Sequence, residues 1–87
     1  MNPVSRFETP YADKTTLKMQ ALLADLEGRI RLLNSDIAEE EERTKVHDVS
    51  APAYSILARN LRGRRDNLLA TITILQRQLA GAEQRAA

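Results

Sequence analysis

Two stretches of this chain repeat their apolar residues at alternating steps of four and three, a pattern that few folds can use. Met19, Leu23, Leu26, Ile30, Leu33 and Ile37 form the first ladder. Tyr54, Ala58, Leu61, Arg65, Leu68, Ile72, Leu75, Leu79 and Ala82 form the second, with Arg65 as its charged member. Such steps keep a narrow stripe on one side of an α-helix, the seam of a coiled coil. In heptad notation Leu23, Ile30 and Ile37 take a, and Met19, Leu26 and Leu33 take d. Composition agrees. Aromatic residues are only 3% of the chain and charged residues 29%; sandwiches and barrels draw on aromatic and β-branched residues, whereas long helices draw on Leu, Ala and charge.

Between the ladders, Val46-His47-Asp48-Val49-Ser50-Ala51-Pro52 carries no helical period. Ser50 or Ala51 is the expected N-cap of a second helix, with Pro52 tolerated in its first turn. The expected organisation is an N-terminal arm over 1–12, a first helix over about 13–45, a loop over about 46–50 and a second helix over about 51–83. The arm holds Pro3 and Pro10 and has no apolar period, so it is read as flexible; with Phe7 and Tyr11 it is either a docking peptide or a segment that packs on the bundle. Thr9 and Asp13 are its candidate caps, and Asp13 is preferred. Helices of about 33 residues span roughly 50 Å, and a connection this short makes them antiparallel. One offset then sets Met19 on Leu79, Leu23 on Leu75, Leu26 on Ile72, Ile30 on Leu68 and Ile37 on Leu61. The expected fold is all-α, an antiparallel, coiled-coil-like two-helix hairpin.

Charge patterning points to the same arrangement. Asp36, Glu39, Glu40, Glu41, Glu42 and Asp48 crowd the end of the first helix against Arg43 and Lys45, while Arg59, Arg62, Arg64 and Arg65 follow with no acid among them. A hairpin lays these blocks side by side. Asp36–Arg64, and Glu39 or Glu41 with Arg59 or Arg62, are the expected pairs. Each exposed pair contributes about 0–1 kcal/mol, so their larger effect is to disfavour other registers.

Two helices sharing one seam seldom stabilise a 9.8 kDa chain. Leu22 and Leu57 at g, and Leu32 and Ile74 at c, lie off the seam on one side of an antiparallel pair. The opposite flank carries Leu17 and Leu69, but also Glu27, Arg31, Arg59, Arg62 and Asp66. Leu22, Leu32, Leu57 and Ile74 are therefore the expected interface, and a second copy completing a four-helix bundle is the expected partner.

Little in the chain suggests catalysis. His47 is the single His, and its neighbours Asp48 and Ser50 are adjacent in sequence without making a triad. Glu39 to Glu42 with Asp36 and His47 resembles a metal cluster only in composition. Four consecutive acids point around a helix, and the Glu-x-x-His spacing of helical metal sites is absent. Phosphate loops, nucleophile elbows and zincin motifs are missing, and there is no Cys. The expectations are no enzyme, no metal, no cofactor and no small-molecule substrate.

Arg59-Asn60-Leu61-Arg62-Gly63-Arg64-Arg65 is the best basic patch, able in principle to contact successive phosphates. The acidic block across the hairpin cancels its field, the net charge is +1, and the aromatic residues that stack on single strands are lacking. Nucleic acid is thus the alternative reading, with a purely structural homodimer as another. Arg65 opposite Leu33 is expected to lay its stem along the seam, its guanidinium reaching Asp36 or Glu40 to set the register, or water. No apolar run suits a bilayer and Met1–Pro10 lacks a secretory core, so a cytoplasmic bacterial setting is expected. The favoured function is a non-catalytic interaction or adaptor protein, chaperone-like or an accessory subunit of an assembly.

Overall fold

A computed structural model describes the backbone of residues 3–86 and the side chains of residues 14–84. Two helices, α1 (Pro3–Thr44) and α2 (Ile56–Ala86), pack against each other as an antiparallel hairpin measuring 66 × 17 × 14 Å. There is no strand among the described residues.

The ladders are the packing surface. Leu26, Ile37, Tyr54, Ala58 and Ile72 are buried. Met19, Leu23, Ile30, Leu33, Leu61, Leu68, Leu75, Leu79 and Ala82 are half-buried. The offset also matches the ladders: Arg65 bonds Asn34 across the hairpin, one position from the Leu33 it was expected to face. Leu33 and Leu68 line one groove, and Ile30, Leu69 and Ile72 line another.

The element boundaries differ from those expected. α1 starts at Pro3, so the backbone over 3–12, where no helical period was expected, is helical. Pro3 suits a first turn, where no backbone donor is needed; Pro10 lies inside α1 without an N–H to donate. The side chains of Phe7 and Tyr11, and of Thr9 and Asp13, lie outside the described residues. α1 closes at Thr44, whose hydroxyl donates to the Glu40 carbonyl at 3.1 Å. Lys45 follows with φ of 60°, the left-handed conformation that commonly ends helices.

α2 starts at Ile56 rather than 51 and runs to Ala86 rather than 83. Asp48 accounts for the late start. Its Oδ1 accepts the Ser50 N–H at 3.0 Å and the Ser50 hydroxyl at 2.7 Å, while its carbonyl accepts the Ala51 N–H at 3.0 Å. A second turn follows, Tyr54 N–H to the Ala51 carbonyl at 3.0 Å. Pro52 is spent in that turn, so Ser50 and Ala51 do not cap the helix. Ser55 does: its Oγ accepts the Ala58 N–H at 3.1 Å, and its carbonyl accepts the Arg59 N–H at 3.0 Å.

Candidate functional site: a locked tip and an exposed apolar face

The acidic end of α1 meets the start of α2 in a polar cluster that closes the hairpin. Glu40 occupies a seam position and is only 8% exposed. An ionised carboxylate so placed needs compensating hydrogen bonds. Arg43, one turn on, donates from Nε to Oε1 at 2.7 Å and from Nη2 to Oε2 at 2.8 Å, and the Ser55 hydroxyl donates to Oε2 from across the hairpin. These bonds, Arg43 first and Ser55 second, hold the Glu40 carboxyl down to a pKa of about 2.

Beside it, Tyr54 is 3% exposed and donates its hydroxyl to Glu41 Oε2 at 2.7 Å. Arg62 donates from Nε to the Tyr54 oxygen at 2.7 Å and from Nη2 to Glu41 Oε2 at 3.0 Å, closing a three-membered ring of bonds. The Tyr54 hydroxyl and then Arg62 push the Glu41 carboxyl below its ordinary range. The guanidinium carbons of Arg59 and Arg62 sit 5.4 and 5.8 Å from the centre of the Tyr54 ring, within cation–π range. Arg59 also donates to the Val49 carbonyl at 3.1 Å. Asp48 is held below its ordinary value by Ser50.

This geometry sorts the expected basic patch. Of the expected ion pairs, Glu41–Arg62 forms and Asp36–Arg64 does not. Arg59 and Arg62 are turned onto Tyr54, Glu41 and the loop. Arg65 corrects an expectation: its guanidinium bonds Asn34 Oδ1 at 3.1 Å and its neighbour Asp66 at 3.4 Å, reaching neither Asp36 nor Glu40. Glu40 is already taken by Arg43 and Ser55. Among the described residues Arg64 is the one arginine of the run without a partner, and it is exposed beside a groove shared with Arg29. His47 is exposed, 3.9 Å from Glu42. Among the described residues no group of three His, Asp or Glu could hold a metal ion, and no helix is long and apolar enough to cross a membrane.

The four off-seam residues are exposed: Leu22 by 46%, Leu32 by 68%, Leu57 by 55% and Ile74 by 53%. Open grooves run between the helices on their side. One, of about 460 Å³, is lined by Arg29, Leu32, Leu33, Arg64, Asn67 and Leu68; another, of about 350 Å³, includes Asp36, Leu57 and Leu61. Leu17, Ile56 and Leu69 are exposed as well, but off this face.

Sequence reasoning missed the Tyr54 hydroxyl, the Ser55 cap and the Arg43 clamp on Glu40. A polar residue just ahead of the apolar period that opens at Ile56 marked Ser55, but Pro52 offered a rival start. No family model, curated protein or solved structure matches the chain.

Proposed function

We propose that the chain is a non-catalytic protein-interaction subunit, a helical hairpin that doubles into a four-helix bundle and serves as an adaptor within a larger assembly. The observation that carries this reading is the row Leu22, Leu32, Leu57 and Ile74, four large apolar side chains on one face, about half or more exposed. Full burial of such a side chain contributes about 1.5–3 kcal/mol, so covering the exposed half of all four contributes on the order of 3–6 kcal/mol per chain. That is comparable with the whole stability of a small domain. The polar groups at the tip bond one another, which leaves no convergent set of acid, base and nucleophile for chemistry.

Sedimentation equilibrium at micromolar concentration tests it. The expected mass is twice 9.8 kDa. Changing Leu32→Asp and Ile74→Asp together is expected to yield a single-chain mass with helical circular dichroism retained. A wild-type mass of one chain overturns the reading.

A further inference from the structure

We infer that the partner on this face is a second copy laid antiparallel to the first, about a twofold axis through Leu32, so that the two hairpin tips point to opposite ends. The inference rests on the bundle reading above and specifies its geometry.

The argument is one of level along the axis. With the offset set by the ladders, which the Ser55–Glu40 and Arg65–Asn34 bonds bracket, Leu57 on α2 stands near residue 41 of α1, and Ile74 near residue 24. Leu32 lies nearly midway, about 12–14 Å from each at 1.5 Å per residue. A twofold axis crossing both helices at that level inverts the order of levels and sets α1 on α1 and α2 on α2. Leu32 then meets its own copy, over the 460 Å³ groove that Leu32, Leu33 and Leu68 line. Leu57 meets Ile74 of the other chain twice, while Leu22 comes level with Arg43 of the other copy. An isologous interface must be self-complementary in this way.

Charges divide under the same operator, which also brings Asp25 level with Glu39 of the other copy, a like-charge contact. Asp36, which has no partner among the described residues, lands opposite Arg29 of the other copy. Arg29 holds only the exposed Asp25, at 3.1 Å, and can accept a second carboxylate. Arg64, also without a partner among the described residues, lands over Asn67, one turn from Arg64 of the other copy. The competing twofold axis, parallel to the helices, keeps both tips at one end. It pairs Leu22 with Ile74, sets Leu57 against Glu39 and Arg43, and leaves Leu32 over Asn67 instead of its own copy. Area also agrees: a tip-to-tip overlap of about 50 Å across a face 17 Å wide covers on the order of 800 Å² per chain, the size of a stable interface.

The first measurement labels the tips and leaves the face untouched. The protein has no Cys, so His47→Cys, at an exposed position, carries a spin label at one site per chain. Sedimentation of the same sample reports the mass, and double electron–electron resonance reports the separation of the labels. The antiparallel dimer is expected to give about 45 Å. Oxidation of Leu32→Cys is expected to yield a covalent dimer, and oxidation of Ile56→Cys, on the outer side, none. A dimer mass with labels within about 25 Å overturns the antiparallel geometry while leaving the bundle reading standing. So does a dimer mass with a different long distance and no Leu32→Cys cross-link. A single-chain mass overturns both.

Discussion

Replacing Tyr54 by Phe removes one oxygen from the tip and should be felt across the whole hairpin. That oxygen donates to Glu41 at 2.7 Å and accepts from Arg62 at 2.7 Å, on a ring that is 3% exposed. The aromatic ring and its two guanidinium contacts survive the change, so packing is nearly constant. What is lost is one hydrogen bond to a carboxylate and one from a guanidinium, while Glu41 and Arg62 keep each other at 3.0 Å. Bonds to charged groups contribute about 1.5–3 kcal/mol each, but the surviving pair recovers part, leaving a net loss of about 1–2 kcal/mol. For a domain of this size that lowers Tm by roughly 5–15 °C. Thermal melts by far-ultraviolet circular dichroism, wild type against Tyr54→Phe at one fixed chain concentration, measure it. A second readout is independent of unfolding. The Tyr54 hydroxyl is the main reason the Glu41 carboxyl titrates low, so the Glu41 side-chain carbon should titrate at higher pH in the variant. An unchanged Tm together with an unchanged Glu41 titration would refute the claim that these bonds close the hairpin.

Ser55→Ala should cost about 1–3 kcal/mol, because it removes both the cap on the Ala58 N–H and a donor to the Glu40 carboxylate; a denaturant midpoint equal to wild type would contradict this. Acid should loosen the tip. Glu40 titrates near 2 when folded against an ordinary 4.5, and Glu41 and Asp48 are lowered too. Groups lowered on folding stabilise fully above their unfolded value, and that stabilisation disappears as pH falls through the folded one. Melting temperature at constant ionic strength should therefore decline from about pH 4.5 to about pH 2, and a flat profile there would count against the bonding assigned to these carboxylates.

The hairpin and its offset were legible because the apolar ladders extend over many turns, and a period of 3.5 leaves little choice of which face turns inward. Every expected seam residue is buried or half-buried. The tip was less legible because its structure depends on short-range competition. Ser50 next to Pro52 and Ser55 ahead of Ile56 are both good N-cap signals, and what decides between them is the pair of turns built on Asp48, a matter of a few hydrogen bonds. Glu40 shows the limit of pattern reading. A Glu at d interrupts the ladder, which suggests that the seam ends there; the structure instead buries it and satisfies it with Arg43 and Ser55. Arg65, the other charge on the seam, was matched to the nearest acids, yet its reach is taken up by Asn34 and Asp66.

The two parts of the molecule therefore specify different things. A ladder with a seven-residue period defines which faces meet but is nearly blind to slippage by one heptad. Sliding α2 so that Arg65 comes level with Glu40 would still set Leu68 on Ile37, Ile72 on Leu33, Leu75 on Ile30 and Leu79 on Leu26. It would even offer Arg65 an acid on the seam. What that register loses is the tip: Tyr54 leaves Glu41, Ser55 leaves Glu40, and Ala58, fully buried in the native pairing, comes level with the exposed His47. Glu40 keeps Arg43, which lies on its own helix, so what the slip costs is the Ser55 bond to Glu40, the Tyr54 and Arg62 bonds to Glu41 and the burial of Ala58. The tip selects the register and the ladder supplies the bulk of the burial. Because the offset decides whether Leu57 and Ile74 stand symmetrically about Leu32, the same polar cluster also governs whether the exposed face is complementary to its own copy.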